Sequence, residues 1–342
     1  MKRPTMADLA RHAGVGVATV DRVLTGRRPV REETARKVWA AAEAIGFHGA
    51  NAIRSRVLEN RPAVRLGVIL RKERHAFYAD FAREIEAAAR RVPEVNLRLT
   101  VEFTASSEPG ELAERLVRLG GRVQAIAAAG ADHHDVTAAV ANLRARGVPT
   151  FALLSDFAQG QREAYIGLNN MKVGRTAAWL MSRAARRPGK VAVFIGGHRY
   201  HGHALREAGF RASLREYAPD FEVMDAIVTL ETRQLTEEAL LGLLARHGDV
   251  VGVYCAGGGM EGVIAALREA DAEGRVACIV NELTPESRQA LMEGRLVGIF
   301  QTPLPALCAE LVPAMIRAVD RGPSETPGQR FIDAALWVPE SL

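Results

Sequence analysis

The chain has 342 residues, a formal charge of +5, 48% hydrophobic and 25% charged residues, the makeup of a soluble globular protein built from two or three compact units. No apolar run approaches the roughly 20 residues of a membrane-spanning helix. The start, Met1-Lys2-Arg3-Pro4-Thr5, lacks the apolar stretch of an export signal, so a cytoplasmic, non-membrane protein is expected.

The positive charge is unevenly placed. Residues 1–62 carry twelve Lys and Arg against six Asp and Glu, whereas the rest carries 33 against 34. A cationic head on a nearly neutral body suits a polyanionic partner. Three scattered cysteines, Cys255, Cys278 and Cys308, exclude a disulfide framework and are expected as buried thiols.

The first 47 residues predict three short helices. Met6, Leu9, Ala10 and Ala13 space one apolar face, Val20, Val23 and Leu24 a second, and Ala35, Val38, Ala42 and Ile45 a third. Thr5 can cap the first helix with Asp8 as its partner three residues on. Gly14 breaks the pattern where two helices at a steep angle need a tight turn. Residues 51–58 predict one or two helical turns, marginal unless ordered by a partner, and Glu59-Asn60-Arg61-Pro62 reads as a linker.

From Val64 onward, strands and helices alternate. Strands are predicted at 64–70, 97–103, 123–129 and 149–154, then at 164–168, 190–195, 222–229, 249–255 and 276–281. Two more, 296–301 and 331–338, bracket a helical stretch at 304–321. Such alternation implies parallel sheets wrapped by helices. About 280 residues exceed one comfortable core, so two sheets are expected, divided near Gly160–Ala164.

The run Ala10-Arg11-His12-Ala13-Gly14-Val15-Gly16-Val17-Ala18-Thr19-Val20-Asp21-Arg22-Val23-Leu24 has the form of a helix-turn-helix and its recognition helix. With Thr5, Asp8-Leu9-Ala10, Thr34 and Val38, it resembles the lactose/galactose repressor (LacI/GalR) family. The resemblance implies an all-α helix-turn-helix head, residues 1–48, and a hinge and linker, 49–62. Behind them it implies an α/β two-lobed core like that of periplasmic sugar-binding proteins, 63–342. The first lobe is expected at about 63–162 and 302–325, the second at about 163–301 and 326–342.

In the head, Val17 and Ala18 offer apolar contact to a thymine methyl, and Arg22, one turn on, can bind guanine bidentately. Thr5, Thr19 and Thr34, with the first backbone N–H groups of their helices, are expected to grip phosphates, and Gly16 is counted among the DNA-binding residues beside them. Asp21 is read as steering a neighbouring arginine. The family's hinge carries a Tyr-x-Pro-Asn entry and a leucine wedge for the minor groove. Here the entry is Phe47-His48-Gly49-Ala50-Asn51, without proline, and with Asn51 as anchor the wedge falls on Val57 or Leu58.

In the core, the resemblance implies a small polyol, a sugar or cyclitol, between the lobes. Ligand residues are expected at strand ends and the lobe interface: Phe77 and Tyr78 to stack on a ring, then Asp156, Arg206, Gly257, Glu282 and Gln301 to bind hydroxyls. Glu282 stands where the family usually has aspartate, which implies a smaller or differently angled ligand.

A different reading starts from Gly257-Gly258-Gly259-Met260-Glu261-Gly262, a G-x-G-x-x-G that follows a strand, with Glu282 twenty residues on. It would make the chain a dinucleotide-binding redox regulator or an oxidoreductase. Against it, the run follows a late strand of its lobe, whereas the fingerprint normally occupies the first strand–helix turn. The triplet His198-x-x-His201-x-His203 is read as a polar cleft rim rather than a metal site. Neither a G-x-S-x-G nor a Walker loop occurs, so no catalytic residue, metal or cofactor is expected. The expected partners are a pseudo-palindromic double-stranded DNA operator, a small effector and a second copy of the chain.

Overall fold

The computed structural model describes residues 3–59, 63–93, 95–272 and 274–342. The predicted linker lies, from Asn60 to Pro62, outside the described residues. The chain divides into two compact units, Met1–Arg65 with Ala89–Arg98, and Leu66–Ala88 with Leu99–Leu342.

Four helices make the head: α1 (Met6–Ala13), α2 (Val17–Thr25), α3 (Glu32–Ala44) and α4 (Ala50–Glu59). Thr5 and Asp8 form the expected capping box, in which the Thr5 hydroxyl accepts from the Asp8 amide at 3.3 Å and the Thr5 amide donates to the Asp8 carboxylate at 3.0 Å. Gly14 ends α1 at φ 66°, a left-handed conformation that costs roughly 1–2 kcal/mol with a Cβ present. Leu9, Val20, Val23, Val38, Ala42 and Phe47 pack into one core. The hinge segment is longer than the one or two turns predicted. It forms ten helical residues because Ile53 and Val57, one turn apart, bury themselves in that same core.

The second unit is built on two sheets. The chain runs through β1 (Val64–Arg71), α5 (Ala76–Arg90), β2 (Leu97–Thr104), α6 (Pro109–Gly120), β3 (Ala125–Ala129), α7 (His134–Ala145), β4 (Thr150–Leu153) and β5 (Ala164–Leu168). It continues through α8 (Asn170–Ala184), β6 (Lys190–Ile195), α9 (His201–Tyr217), β7 (Glu222–Val223), β8 (Ile227–Val228), α10 (Arg233–Arg246), β9 (Val250–Cys255) and α11 (Met260–Glu269). Last come β10 (Ala277–Asn281), α12 (Pro285–Met292), β11 (Gly298–Gln301), α13 (Leu304–Arg321), β12 (Gly328–Ile332) and β13 (Ala335–Trp337).

The first sheet has the order β12-β5-β4-β3-β1-β2, and the second β13-β11-β10-β9-β6-β7, with β8 also on β6. Central strands are buried on both faces, as parallel sheets wrapped by helices require. In β6, Ala192 and Phe194 enter one apolar cluster while Val191, Val193 and Ile195 enter the cluster on the opposite face.

The lobes divide differently from the sequence reading. The strand 164–168, assigned to the second lobe, pairs with β4 through Phe151↔Ala164 and belongs to the first sheet. The polar stretch at 159–163 is a loop within that lobe, not a boundary. The predicted strand 331–338 is two strands: β12 joins the first sheet on β5, and β13 runs antiparallel to β11 in the second. The predicted strand 222–229 is likewise two short pieces, β7 and β8. Cys255, Cys278 and Cys308 are free and buried. Among the described residues, no helix is long and apolar enough to cross a membrane.

Candidate functional site

Two places in the molecule gather functional side chains, one in each unit. In the head, Gly16 provides the extended residue before α2. Val17 then stands 48% exposed, Ala18 and Arg22 are exposed, and Thr19 is half-buried. These are the first turns of the helix expected to enter a major groove. Arg22 lies along its own helix: Nε donates to the Ala18 carbonyl at 3.0 Å and Nη2 to the Thr19 hydroxyl at 3.5 Å. Asp21 makes no ion pair among the described residues, so the arginine is steered by Thr19 and Ala18 instead. Arg22, Arg28 and Arg56 line one groove together with Gly26 and Pro29. Arg28 and Arg56 were not singled out from the sequence, where they sit in a turn and on a hinge without periodicity to mark them.

Thr5 spends its hydroxyl on Asp8, donating to the carboxylate at 2.7 Å, and Thr34 is half-buried early in α3. Asn51 is exposed near the start of α4. The wedge assigned to Val57 is corrected: this side chain is 7% exposed and packed into the head's core beside Ile53. The Leu58 side chain lies outside what is described.

In the core, a cavity of about 90 Å³ sits between the lobes at the C-terminal ends of the strands. Arg71 closes β1, and His75, Phe77 and Tyr78 follow on the loop and first turn of α5. From the other lobe come Tyr200, His203 and Arg206 on or beside α9, Gly257–Gly259 after β9, and Asn281 with Glu282 at the end of β10. Five expected ligand residues therefore line it: Phe77, Tyr78, Arg206, Gly257 and Glu282.

Two do not. Asp156 is buried in an ion pair with Arg162 of its own lobe, with Nη2–Oδ2 at 2.8 Å, and it also accepts from the Phe157 amide at 3.0 Å. The neighbouring Ser155 lines the cavity instead. Gln301 accepts from Trp337 Nε1 at 2.6 Å, tying β11 to β13. Both errors come from placing residues by strand end alone, without knowing which way each side chain turns.

The sequence reading missed most of the charge in the cleft. Arg71 donates across it to Glu231 at 2.7 Å, and Lys72 Nζ stands 3.3 Å from the same carboxylate and 3.0 Å from the Glu231 carbonyl. Arg71 also lies over the Tyr200 ring, 4.8 Å from its centre, and donates to Ser107 Oγ at 2.6 Å. His75 Nε2 meets Glu261 at 3.2 Å, and Ser155 Oγ accepts from the Gly202 amide at 3.1 Å. These contacts join the two lobes across the cavity. His75 Nδ1 is buried without a hydrogen-bond partner among the described residues.

Burial alone would push the Glu231 carboxyl up, but Arg71, His203 and Lys72 pull it down to about 2. Burial lowers His203 to about 4, so the ring is neutral at pH 7, accepting from the Gly196 amide at 3.3 Å. Glu282, at φ 72°, accepts from Thr302 N at 3.0 Å and Oγ1 at 2.7 Å, yet its burial still raises its pKa. Arg206 donates to Asn170 Oδ1 at 2.7 Å and to the Ala256 carbonyl at 3.0 Å.

The glycine run serves this cluster. A Cβ on Gly257 would come 2.7 Å from His203, and one on Gly258 2.9 Å from the Glu231 Cβ. The glycines make room for side chains from within the lobe, which removes the reason to read them as a pyrophosphate cradle.

An N-terminal helix-turn-helix and a two-lobed cleft define a class: regulators assembled from a DNA-binding head and a solute-binding core. The periplasmic binding protein domain matches residues 66–322, and the bacterial regulatory proteins of the lacI family match residues 5–49. The chain belongs to the periplasmic binding protein domain family and carries a lacI-family head.

A regulator of the helix-turn-helix type from Streptomyces limosus, encoded in the aml 5′ region, is 27% identical over 62% of this chain and 58% of its own length. The ribitol operon repressor of Klebsiella aerogenes is 28% identical over 58% of this chain and 72% of its own. The chain thus aligns with little more than half of the first of these relatives. Among solved structures, GanP, a glucose-galactose binding protein from Geobacillus stearothermophilus, superposes with a TM-score of 0.74 at 18% identity, over 82% of this chain and 99% of that one. At that identity the likeness is one of fold.

Proposed function

We propose that this protein is a cytoplasmic, homodimeric transcriptional repressor. Its grip on a pseudo-palindromic operator is set by a polyhydroxylated ligand held between the lobes of its core. One observation carries the reading: Val17, Ala18 and Arg22 stand exposed in sequence on α2, in a chain that also builds a polar interlobe cleft. Base edges are read by exposed side chains on such a helix, while phosphate contacts set its register. The ligand class follows from the cleft's mixture of aromatic, cationic and carboxylate groups, which offers both donors and acceptors to hydroxyls. The names of the ribitol repressor and the glucose-galactose binding protein, both concerned with polyols, support it. On this proposal the cleft senses a ligand rather than transforming it.

The test is selection of bound fragments from genomic DNA by the purified full chain at fixed salt, followed by footprinting. The proposal expects two protected half-sites related by a dyad and a preference over random duplex of at least about a thousandfold. Equal retention of all fragments would overturn it.

A further inference from the structure

The charges at the cleft balance one another without a ligand. Arg71, Lys72 and Arg206 stand with Glu231, Glu261 and Glu282, three cations with three carboxylates. Arg206 acts on Glu282 within the second lobe. The other pairs cross between lobes: they leave one short segment of the first, Arg71 to His75, and end on Glu231 and Glu261 of the second.

Glu231 is the centre of the crossing. Arg71 meets its carboxylate at 2.7 Å, with the two side chains only 5% and 9% exposed, and Lys72 reaches it at 3.3 Å. Arg71 is fixed from its own lobe by Ser107 Oγ and covered from the other by the Tyr200 ring. The backbone is left-handed on both sides of the contact, at φ 43° for Lys72, 51° for Leu230 and 55° for Glu231. Residues with side chains keep such conformations where their surroundings hold them, and they gather at clamps and switches. Two glycines flank the Glu231 side chain, since a Cβ on Gly196 would meet its Cγ at 2.5 Å and one on Gly258 its Cβ at 2.9 Å.

A buried ion pair favours the closed form only when its geometry is good and its remaining polar atoms are satisfied. Both conditions are met by a carboxylate shared between two cations and a guanidinium donating to a second acceptor. Removing one charge reverses the balance, because the closed form then buries the other uncompensated while parting the lobes returns it to water.

We propose that Glu231 is an interlobe clasp: through Arg71 and Lys72 it holds the unliganded cleft shut, and a ligand is admitted when its carboxylate lets go. This rests on the functional proposal for treating the cleft as the ligand's seat, while the closure itself needs neither ligand nor DNA.

The experiment is a pulsed electron–electron distance measurement on the full chain without ligand. Spin labels are attached at Glu114→Cys on α6 of the first lobe and Glu238→Cys on α10 of the second, both exposed positions, with the buried native cysteines left in place. Labelled chain is diluted with unlabelled chain, so only distances within one copy are read. The otherwise unaltered protein should give one narrow distribution. Glu231→Gln should move population to a longer distance and lower the ratio of closed to open forms at least about tenfold. Lys72→Gln, at a half-buried position, should shift it in the same direction by less. Glu216→Gln, which removes an exposed pair with Arg175 inside the second lobe, should leave it unchanged. The proposal is overturned if Glu231→Gln keeps the original distribution, or if the unaltered protein is already as open as that variant. Should Glu231→Gln fail to melt as a folded protein, Lys72→Gln decides, and an unchanged distribution there overturns the clasp. Operator selection is a separate measurement, so either proposal can fail while the other stands.

Discussion

Arg22 is the exposed cation of α2 and lies one turn beyond Ala18, with its guanidinium resting on Thr19 and a backbone carbonyl. Those bonds are readily exchanged for the two acceptors on a guanine edge. Arg22→Ala should cost roughly 1–3 kcal/mol at one base position and relax the preference there, measured by binding to operators varied at that pair. An unchanged base preference would remove the residue from direct readout. His203 acts at the same scale through its proton. Burial holds it at about 4 against an ordinary 6.5, so between those values the unfolded chain takes up a proton that the folded chain refuses. Its share of stability is therefore complete above pH 6.5 and declines as pH falls toward 4. Glu231, held at about 2, loses its share only below the ordinary carboxylate range. Urea titrations of His203→Gln should show a flatter dependence between pH 4 and 6.5 with the lower limb kept, and an unaltered slope in that window would contradict the assignment. At this scale the sequence was partly legible. Gly257 and Glu282 were placed at the cavity because strand ends converge on it, and Arg206 because its helix follows such a strand, whereas Asp156 and Gln301 turn elsewhere because a strand end does not say where a side chain points. Glu231 carried no signal: it lies in a loop, and only the fold brings it to Arg71, 160 positions away.

At the scale of elements, α4 shows a short helix stabilised by tertiary burial rather than by its own propensity. Its ten residues would be marginal alone, and Ile53, fully buried, is its anchor on the head. Ile53→Ala should cost about 2–5 kcal/mol of head stability and release the helix, seen as lost helical signal and a lowered melting temperature for the head. A wild-type melt would show that α4 does not depend on this contact. The helices of the head were legible in outline because apolar spacing and the Thr5–Asp8 cap are local signals. The length of α4 was not, since its partner face is supplied by other helices. Strand existence was likewise legible, but strand membership was not. The pairing of β5 with β4 and of β12 with β5 is non-local, and the polar stretch at 159–163 has the composition of a boundary without being one.

For the whole molecule, the proposal is that a ligand held by the cleft changes the affinity of the head for DNA. An effector can do this only through different affinities for the DNA-bound and free forms of the protein, and the coupling must be reciprocal. The cationic head was legible in the uneven spread of charge along the chain, because charge is carried by residue identity alone. The closed, ion-paired state of the cleft was not, because Arg71, Lys72 and Glu231 are ordinary surface-type residues until the lobes meet. The direct test is a thermodynamic cycle on the full chain: operator affinity measured with and without saturating ligand, and ligand affinity measured on and off the operator. The account predicts the same factor in both directions, different from one and lost together in Arg206→Gln. Ligand binding of equal strength on and off DNA would contradict it.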